Sequence, residues 1–289
     1  MAETDKNSAQ EAETSDREPS AQFAFLEAAS QGQEMTVRDD QFAFSLLRDG
    51  VRKTVQNRGR FRLVDSGTLE QPQLEWLLEA GADFYTSNNI SRDMREREAL
   101  ALTARRNRSR LACFIHFPES REQQEGAESE DSPAPGLTDY QNLALAGAFL
   151  YFSSQDREWD PAELVRLAEG CRKGGARLVY YHQGEFSEGG FSLAEAGVWI
   201  HITQAALKKE SLFILADSAS AANRRGGGLV IHLQAKPDFL LLEDLLRSGA
   251  YIRFEYAQID CRSPLKPIEQ AAAKRKLPPY SYFLNPDFV

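Results

Sequence analysis

The sequence predicts an α/β protein, a single (β/α)8 barrel of the TIM type with a disordered N-terminal tail. The first observation is a recurring unit, in which a helix ends at Gly and a short apolar run follows and closes in polar residues. Gly ends helices without a Cβ clash, and runs of β-branched and aromatic residues are typical of buried strands. Five copies of the unit begin at Gly81, Gly147, Gly175, Gly197 and Gly249.

The second observation is that three further runs match these copies in length and polarity and bring the number of strands to eight. Helix-compatible sequence follows each run, which indicates parallel strands joined by right-handed crossovers, and eight such units close a barrel. The predicted strands lie near residues 61–65, 82–87, 111–117, 148–153, 177–182, 198–203, 229–234 and 250–256.

Length, charge and cysteine usage limit the classes of protein. A chain of 289 residues has room for one barrel of roughly 250 residues and a tail. The formal charge of -9 argues against general nucleic-acid binding, which needs a basic surface. Cys113, Cys171 and Cys261 are far apart and form no CxxC pair, so neither a disulfide framework nor a zinc knuckle is indicated. No signal-peptide pattern or long apolar run is present, which predicts a cytoplasmic protein outside the membrane.

The chain before the barrel divides into two parts. Residues 1–19 are acidic with little apolar content, which predicts disorder. Residues 20–60 are predicted to form a helical segment that packs on the barrel, and they contain a repeated Gln-Phe-Ala-Phe sequence at 22–25 and 41–44. The alternative for this repeat is a docking segment for a protein partner. The barrel itself is predicted over 61–289, with a flexible acidic insertion near 119–136.

Two helix starts carry clear signals along the barrel. Thr68 is the predicted N-cap of a helix over 71–80, because Pro72 would lie in its first turn. Asp160 followed by Pro161 predicts a second N-cap, which opens a helix over 162–173.

All four histidines, His116, His182, His201 and His232, lie at or near predicted strand ends, where barrel enzymes build their sites. Imidazole is the usual acid, base and metal ligand at neutral pH, and the carboxylates of Asp65, Glu185, Glu255 and Asp260 would complete a shell for a divalent zinc, manganese or iron ion. The predicted catalytic residues are Asp65, His182 and His201. The predicted metal ligands are His116, His182, His201, His232 and Glu255.

The alternation of side chains along a strand predicts which histidines meet. His201 shares a face with Thr203, and His232 shares a face with Gln234, as expected for inward polar positions on neighbouring strands. We therefore expect both imidazoles near the barrel axis, whereas the faces of His116 and His182 stay open. The alternative for His201 and His232 is that they are hydrogen-bonded polar filler of the barrel interior.

This arrangement, Asp65 after the first strand and histidines on later strands, resembles the barrel metal-dependent hydrolases, including the polymerase and histidinol phosphatase (PHP) family of phosphoesterases. The resemblance spans residues 61–260 as a pattern. It implies a barrel hydrolase that acts on a small phosphorylated or ester substrate and uses a divalent metal such as zinc or manganese.

The chain departs from the pattern of these families at the end of the first strand, where Val64, Asp65, Ser66 and Gly67 stand in place of a His-x-His pair. The alternative function is therefore a degenerate, non-catalytic barrel, a pseudoenzyme that serves as an interaction protein through its acidic tail and the repeated Gln-Phe-Ala-Phe segments. No Gly-x-Ser-x-Gly elbow, Walker loop, Gly-x-Gly-x-x-Gly or His-Glu-x-x-His motif is present.

Overall fold

The computed structural model describes residues 19–116, 136–208, 211–233 and 239–254. Residues 1–18 of the predicted tail, residues 119–135 of the predicted insertion, Glu255 and Asp260 lie outside the described residues. The predictions made for them therefore stay predictions.

Parallel strands in chain order form one sheet, and helices alternate with them. The strands are β1 (Met35–Arg38), β2 (Phe61–Val64), β3 (Asp83–Ser87), β4 (Leu111–Phe114), β5 (Phe149–Ser153), β6 (Leu178–His182), β7 (Trp199–Thr203), β8 (Gly228–Leu233) and β9 (Tyr251–Phe254). The helices are α1 (Pro19–Ser30), α2 (Phe44–Gln56), α3 (Gln71–Glu79), α4 (Met94–Asn107), α5 (Leu137–Ala146), α6 (Pro161–Gly174), α7 (Glu188–Glu195), α8 (Leu212–Arg224) and α9 (Phe239–Arg247).

The predicted α/β barrel is confirmed, with one strand more than predicted. The additional strand, β1, lies inside residues 20–60, for which only helix was predicted, and it pairs in parallel with β2 from Met35↔Phe61 to Arg38↔Val64. Pairing continues from each strand to the next up to β9, and within the described residues no pair joins β9 back to β1. The barrel therefore starts 26 residues before the predicted first strand.

Alternating side chains give the sheet two different faces. On β2, Phe61 and Leu63 are buried in the main core between the sheet and the helices, whereas Arg62 and Val64 belong to the inner face and are half-buried. The main core includes buried side chains of every described strand. A smaller apolar cluster lines the inner face, where Ala112, Tyr151 and Val179 meet.

The repeated Gln-Phe-Ala-Phe segments pack on the barrel through three of their four aromatic rings. Phe25 is 6% exposed, and its ring centroid lies 4.4 Å from that of Phe42 and 6.1 Å from that of Phe61. Gly50 leaves room for Phe25, because a Cβ at that position would lie 2.3 Å from its ring. Phe44 packs partly buried against the same core. The fourth ring, Phe23, is 70% exposed, which is consistent with the alternative that this segment docks a protein partner.

Helix α6 begins as predicted, with the Asp160 carboxylate accepting a hydrogen bond of 2.9 Å from the Ala162 amide. Helix α3 begins later than its predicted cap, because Glu70 is the N-cap and its amide donates to the Gln73 side chain. Thr68 instead contacts the Ser66 hydroxyl in the loop after β2. None of the described helices is long and apolar enough to cross a membrane.

Candidate active site

His201 and His232 meet on the inner face of the barrel. Their strands β7 and β8 pair side by side, with Thr203 opposite His232 in the ladder. His201 Nδ1 lies 2.9 Å from His232 Nε2, which is hydrogen-bonding distance, and the ring centroids are 5.1 Å apart. The two imidazoles therefore share one proton between these nitrogens. We call this pair the histidine dyad.

Burial differs between the two rings of the dyad. His201 is 2% exposed and His232 is 8% exposed, so His232 is the ring nearer to solvent. His201 Nε2 is buried and has no hydrogen-bond partner among the described residues. A buried N–H without an acceptor costs about 1–3 kcal/mol, which favours the tautomer in which Nδ1–H of His201 donates to His232. In this tautomer pair His232 accepts at Nε2 and carries its own proton on Nδ1.

The surroundings of the dyad keep His201 neutral. Burial lowers the pKa of His201 well below its ordinary value of 6.5, and the charges of His232 and Arg253 lower it further. Arg253 stands opposite His232 in the ladder between β8 and β9. On the other side, the Tyr181 ring packs 4.5 Å from the His201 ring and 6.4 Å from the His232 ring, measured between centroids. The neutral imidazole of His201 thus packs on the Tyr181 ring and lies in the positive field of Arg253.

The depressed pKa of His201 makes a testable prediction about stability. The unfolded chain binds a proton on this imidazole below pH 6.5, whereas the folded protein does not until a lower pH. Stability should therefore be fully present above pH 6.5 and fall as the pH drops below it, by up to about 1.4 kcal/mol per pH unit. Urea denaturation between pH 8 and pH 5 measures this slope. The His201→Asn variant should lose the slope in part, and an unchanged slope would contradict a buried neutral His201.

Asp65, a predicted catalytic residue and metal-binding side chain, lies on the opposite face of the sheet from the dyad. Its Oδ1 accepts hydrogen bonds from Gly67 N and Arg92 Nη2, and its Oδ2 accepts from Thr86 Oγ1 and Arg92 Nε, all at 2.6–2.9 Å. Burial by itself would raise the pKa of Asp65, but the hydrogen bonds from Arg92, Thr86 and Gly67 and the charge of Arg92 hold it below its ordinary value. These hydrogen bonds engage both carboxylate oxygens of Asp65 and hold the loop after β2 in place.

His182 and His116 lie apart from the dyad. His182 Nε2 lies 2.9 Å from the Glu185 carbonyl oxygen, and its ring packs against Phe186. It lines a crevice of about 320 Å³ between the outer face of β6 and β7 and helices α6 and α7, with Trp159 and Tyr180 among its walls. His116 is half-exposed, and its Nδ1 lies 3.5 Å from an Asp156 carboxylate oxygen.

The predicted metal ligands do not gather at one point in the part of the chain that the structure describes. No group of three or more His, Cys, Asp or Glu side chains there is placed to hold a metal ion. Glu185 is exposed and forms an ion pair with Lys208, whose hydrogen bond and charge lower the pKa of Glu185. Among the predicted ligands that the structure describes, only His201 and His232 are in contact.

The buried cysteines are poor nucleophiles. Burial raises the pKa of the Cys113 thiol to about 11 and that of Cys171 to about 12, so both are protonated at neutral pH. Neither Cys113 nor Cys171 forms a disulfide.

Sequence reasoning missed three side chains of these sites. Tyr181 and Arg253 lie on predicted strands, and the same alternation that paired His201 with His232 would have placed them on the inner face. Arg92, the partner of Asp65, follows β3 by a loop, and no local pattern distinguishes it from the other arginines of this charged stretch.

Comparisons with known proteins show no family for this chain. No family model matches it, and no curated protein matches it. Among solved structures, it is similar to the deoxyribose phosphate aldolase from Aeropyrum pernix, with 15% identity over 83% of this chain and 92% of that chain and a TM-score of 0.29. A variant of the citrate synthase SbnG has 9% identity over 86% of this chain and 97% of that chain, with a TM-score of 0.30. At these scores the likenesses carry no argument about activity.

Proposed function

We propose that this barrel is an enzyme that hydrolyses a small phosphorylated or ester substrate, with the histidine dyad as its proton-transfer group. The observation that supports this most is the contact between His201 Nδ1 and His232 Nε2, made by the only two of the predicted site residues that the described structure brings together. His232 lies one residue before the carboxyl end of β8, and enzymes of this fold carry their chemistry at the carboxyl ends of the strands.

Each member of the site has a proposed role. His232, the more exposed ring, would donate its Nδ1 proton to the leaving group and regain a proton at Nδ1 from the attacking water. His201 would act as a positioning residue, because its hydrogen bond fixes the tautomer and the orientation of His232. Arg253 would stabilise the negative charge of a phosphate or of an oxyanion that forms during hydrolysis.

The described residues do not make up the predicted zinc or manganese site, because the dyad supplies two nitrogens that already bond to each other. Glu255, the remaining predicted ligand, lies outside the described residues. The proposed proton transfer therefore uses the side chains of the chain itself.

A hydrolysis assay tests the proposal. Purified protein would be incubated with p-nitrophenyl phosphate, p-nitrophenyl acetate and a panel of phosphorylated sugars, with and without added Zn²⁺ or Mn²⁺. We expect turnover of at least one substrate that the His232→Gln variant loses. Absence of turnover across the panel, or full activity of the variant, would count against the proposal.

The second candidate function is the non-catalytic barrel that acts as an interaction protein. The observation that favours it is that three of the predicted site residues, Asp65, His116 and His182, are engaged elsewhere and do not join the dyad. On this reading the dyad is polar filler, and its replacement would change stability without changing any turnover.

A further inference from the structure

The end of the barrel opposite the proposed active site carries a strong excess of positive charge. We define the amino-terminal face as the last four residues of each helix together with the loop to the next strand, all of which the structure describes. This set holds thirteen basic and five acidic side chains, an excess of eight positive charges in a chain whose net charge is -9. The basic residues are Lys53, Arg58, Arg60, Arg105, Arg106, Arg108, Arg110, Arg172, Lys173, Arg177, Arg224, Arg225 and Arg247.

Most of this charge is exposed and lacks an acidic partner. Nine of the basic residues are exposed and lie more than 4.0 Å from any carboxylate of the described residues: Lys53, Arg58, Arg105, Arg106, Arg108, Arg172, Lys173, Arg224 and Arg225. Seven of the nine are arginines, whose planar guanidinium binds two oxygens of one phosphate at once.

Two of these arginines occupy backbone positions that favour glycine. Arg58 has φ = 63° and Arg108 has φ = 60°, and they are the non-glycine residues with positive φ in the described part of the chain. The left-handed region costs a residue with a Cβ about 1–2 kcal/mol. Gly147 and Gly175 hold the position of Arg108 after α5 and α6, and Gly81 and Gly197 hold the position of Arg58 after α3 and α7. Folding alone would thus favour glycine at 58 and 108.

The helix dipole explains only part of the excess. It favours a basic side chain in the last turn of a helix by about 0.3–1 kcal/mol. Helix α2 already has Lys53 in its last turn, and helix α4 already has Arg105 and Arg106. The additional strained arginines after these helices therefore point to a role outside the fold.

The distribution of the charge indicates the kind of partner. The exposed arginines come from four separate helix-to-strand connections, so they cover a surface rather than a pocket and suit an extended polyanion. Among the exposed large apolar side chains, the aromatic ones, Phe23 and Phe213, lie near the first turns of α1 and α8, at the other end of the barrel. Trp76 lies on the amino-terminal face but is half-buried against the core, with the Arg48 and Arg52 guanidiniums over its ring. The exposed large apolar side chains of this face, Val55 and Leu145, are aliphatic, so its described residues include no exposed aromatic anchor of a membrane-binding surface.

We propose that the amino-terminal face binds the phosphate backbone of a nucleic acid, independently of the histidine dyad at the opposite end. The net charge of the whole chain argues against general nucleic-acid binding, but it averages over faces of opposite charge. A polyanion responds to the local field of the surface it approaches. Sequence specificity is not implied, because contacts to phosphates carry no sequence information.

Fluorescence anisotropy with labelled RNA and DNA duplexes of mixed sequence, about 20 base pairs long, tests the proposal over a series of salt concentrations. The test variant carries Arg58→Gly together with Arg108→Gly, which removes two charges and relieves backbone strain. We expect its melting temperature to equal or exceed that of the wild type. Its affinity should fall about tenfold at low salt, and the slope of log K against log salt should become less steep by about 1.8.

The matched control removes two exposed arginines from other surfaces, Arg95 in the first turn of α4 and Arg166 in the middle of α6, as Arg95→Gln with Arg166→Gln. This control variant should bind the duplexes with the affinity of the wild type. Equal weakening by both variant pairs would overturn the proposal, as would the absence of duplex binding by the wild type at the lowest salt. Salt-sensitive self-association in sedimentation, or binding to phosphatidylserine vesicles but not to duplexes, would overturn it in favour of those partners.

Discussion

Replacing Asp65 with Ala is expected to lower the free energy of unfolding by about 3–5 kcal/mol. The Arg92 side chain is 5% exposed and the Asp65 side chain is fully buried, so the variant leaves a buried guanidinium without its bidentate partner. The ion pair of Arg92 with Glu96 remains and moderates the loss. Guanidinium chloride denaturation of the wild type and the variant measures the difference.

A double variant separates the ion pair from the other roles of Asp65. Asp65→Ala with Arg92→Met removes both charges, and we expect it to be more stable than Asp65→Ala alone, because no buried charge is left unpaired. The pKa of Asp65 in the folded protein is below its ordinary value of 3.8. The stabilisation by the ion pair is therefore fully present above pH 3.8 and is lost as the pH falls through the pKa of the folded state. A small change in stability combined with loss of turnover in Asp65→Ala would instead support the predicted catalytic role of Asp65.

The sequence predicted the strands that carry a buried apolar run and missed the one that does not. Each predicted strand from 61–65 onward corresponds to an observed strand, β2 to β9, because aromatic and β-branched residues packed on both faces leave a clear pattern. Strand β1 has the four residues Met35 to Arg38, of which only Val37 is buried. A strand with one buried side chain has no period to detect, so its place in the sheet comes from tertiary pairing with β2.

Side-chain alternation located the dyad, whereas contacts between distant loops decided the rest of the site. Inward faces for His201 and His232 follow from the two-residue period of a strand, and the structure has the two imidazoles in contact. The carboxylate of Asp65 is captured by Arg92, 27 residues away, after an irregular loop. His182 follows Tyr180 on the outer face, toward the crevice under α6 and α7. Sequence spacing alone carries no information on such pairings.

Replacing His232 with Gln is expected to reduce kcat of the proposed hydrolysis by about 10²–10⁴, the usual contribution of a general acid–base group. Gln preserves the polarity and approximate volume of the ring but exchanges no proton. KM should change little, because Arg253 and the remaining inner face still bind the substrate. The measurement is steady-state kinetics on the substrate identified in the hydrolysis panel.

His201→Asn tests the positioning role of the second imidazole. The Asn side chain can still bond to His232 Nε2 but holds it less firmly, so we expect a smaller loss, about tenfold, and a shift in the pH profile of kcat as the tautomer of His232 is no longer fixed. His116→Gln and His182→Gln are the matched controls, since both histidines lie outside the dyad. If either control lowers kcat as much as His232→Gln, the chemistry lies elsewhere in the barrel. If all four variants keep wild-type turnover, the dyad is an element of the core, as the interaction-protein alternative requires.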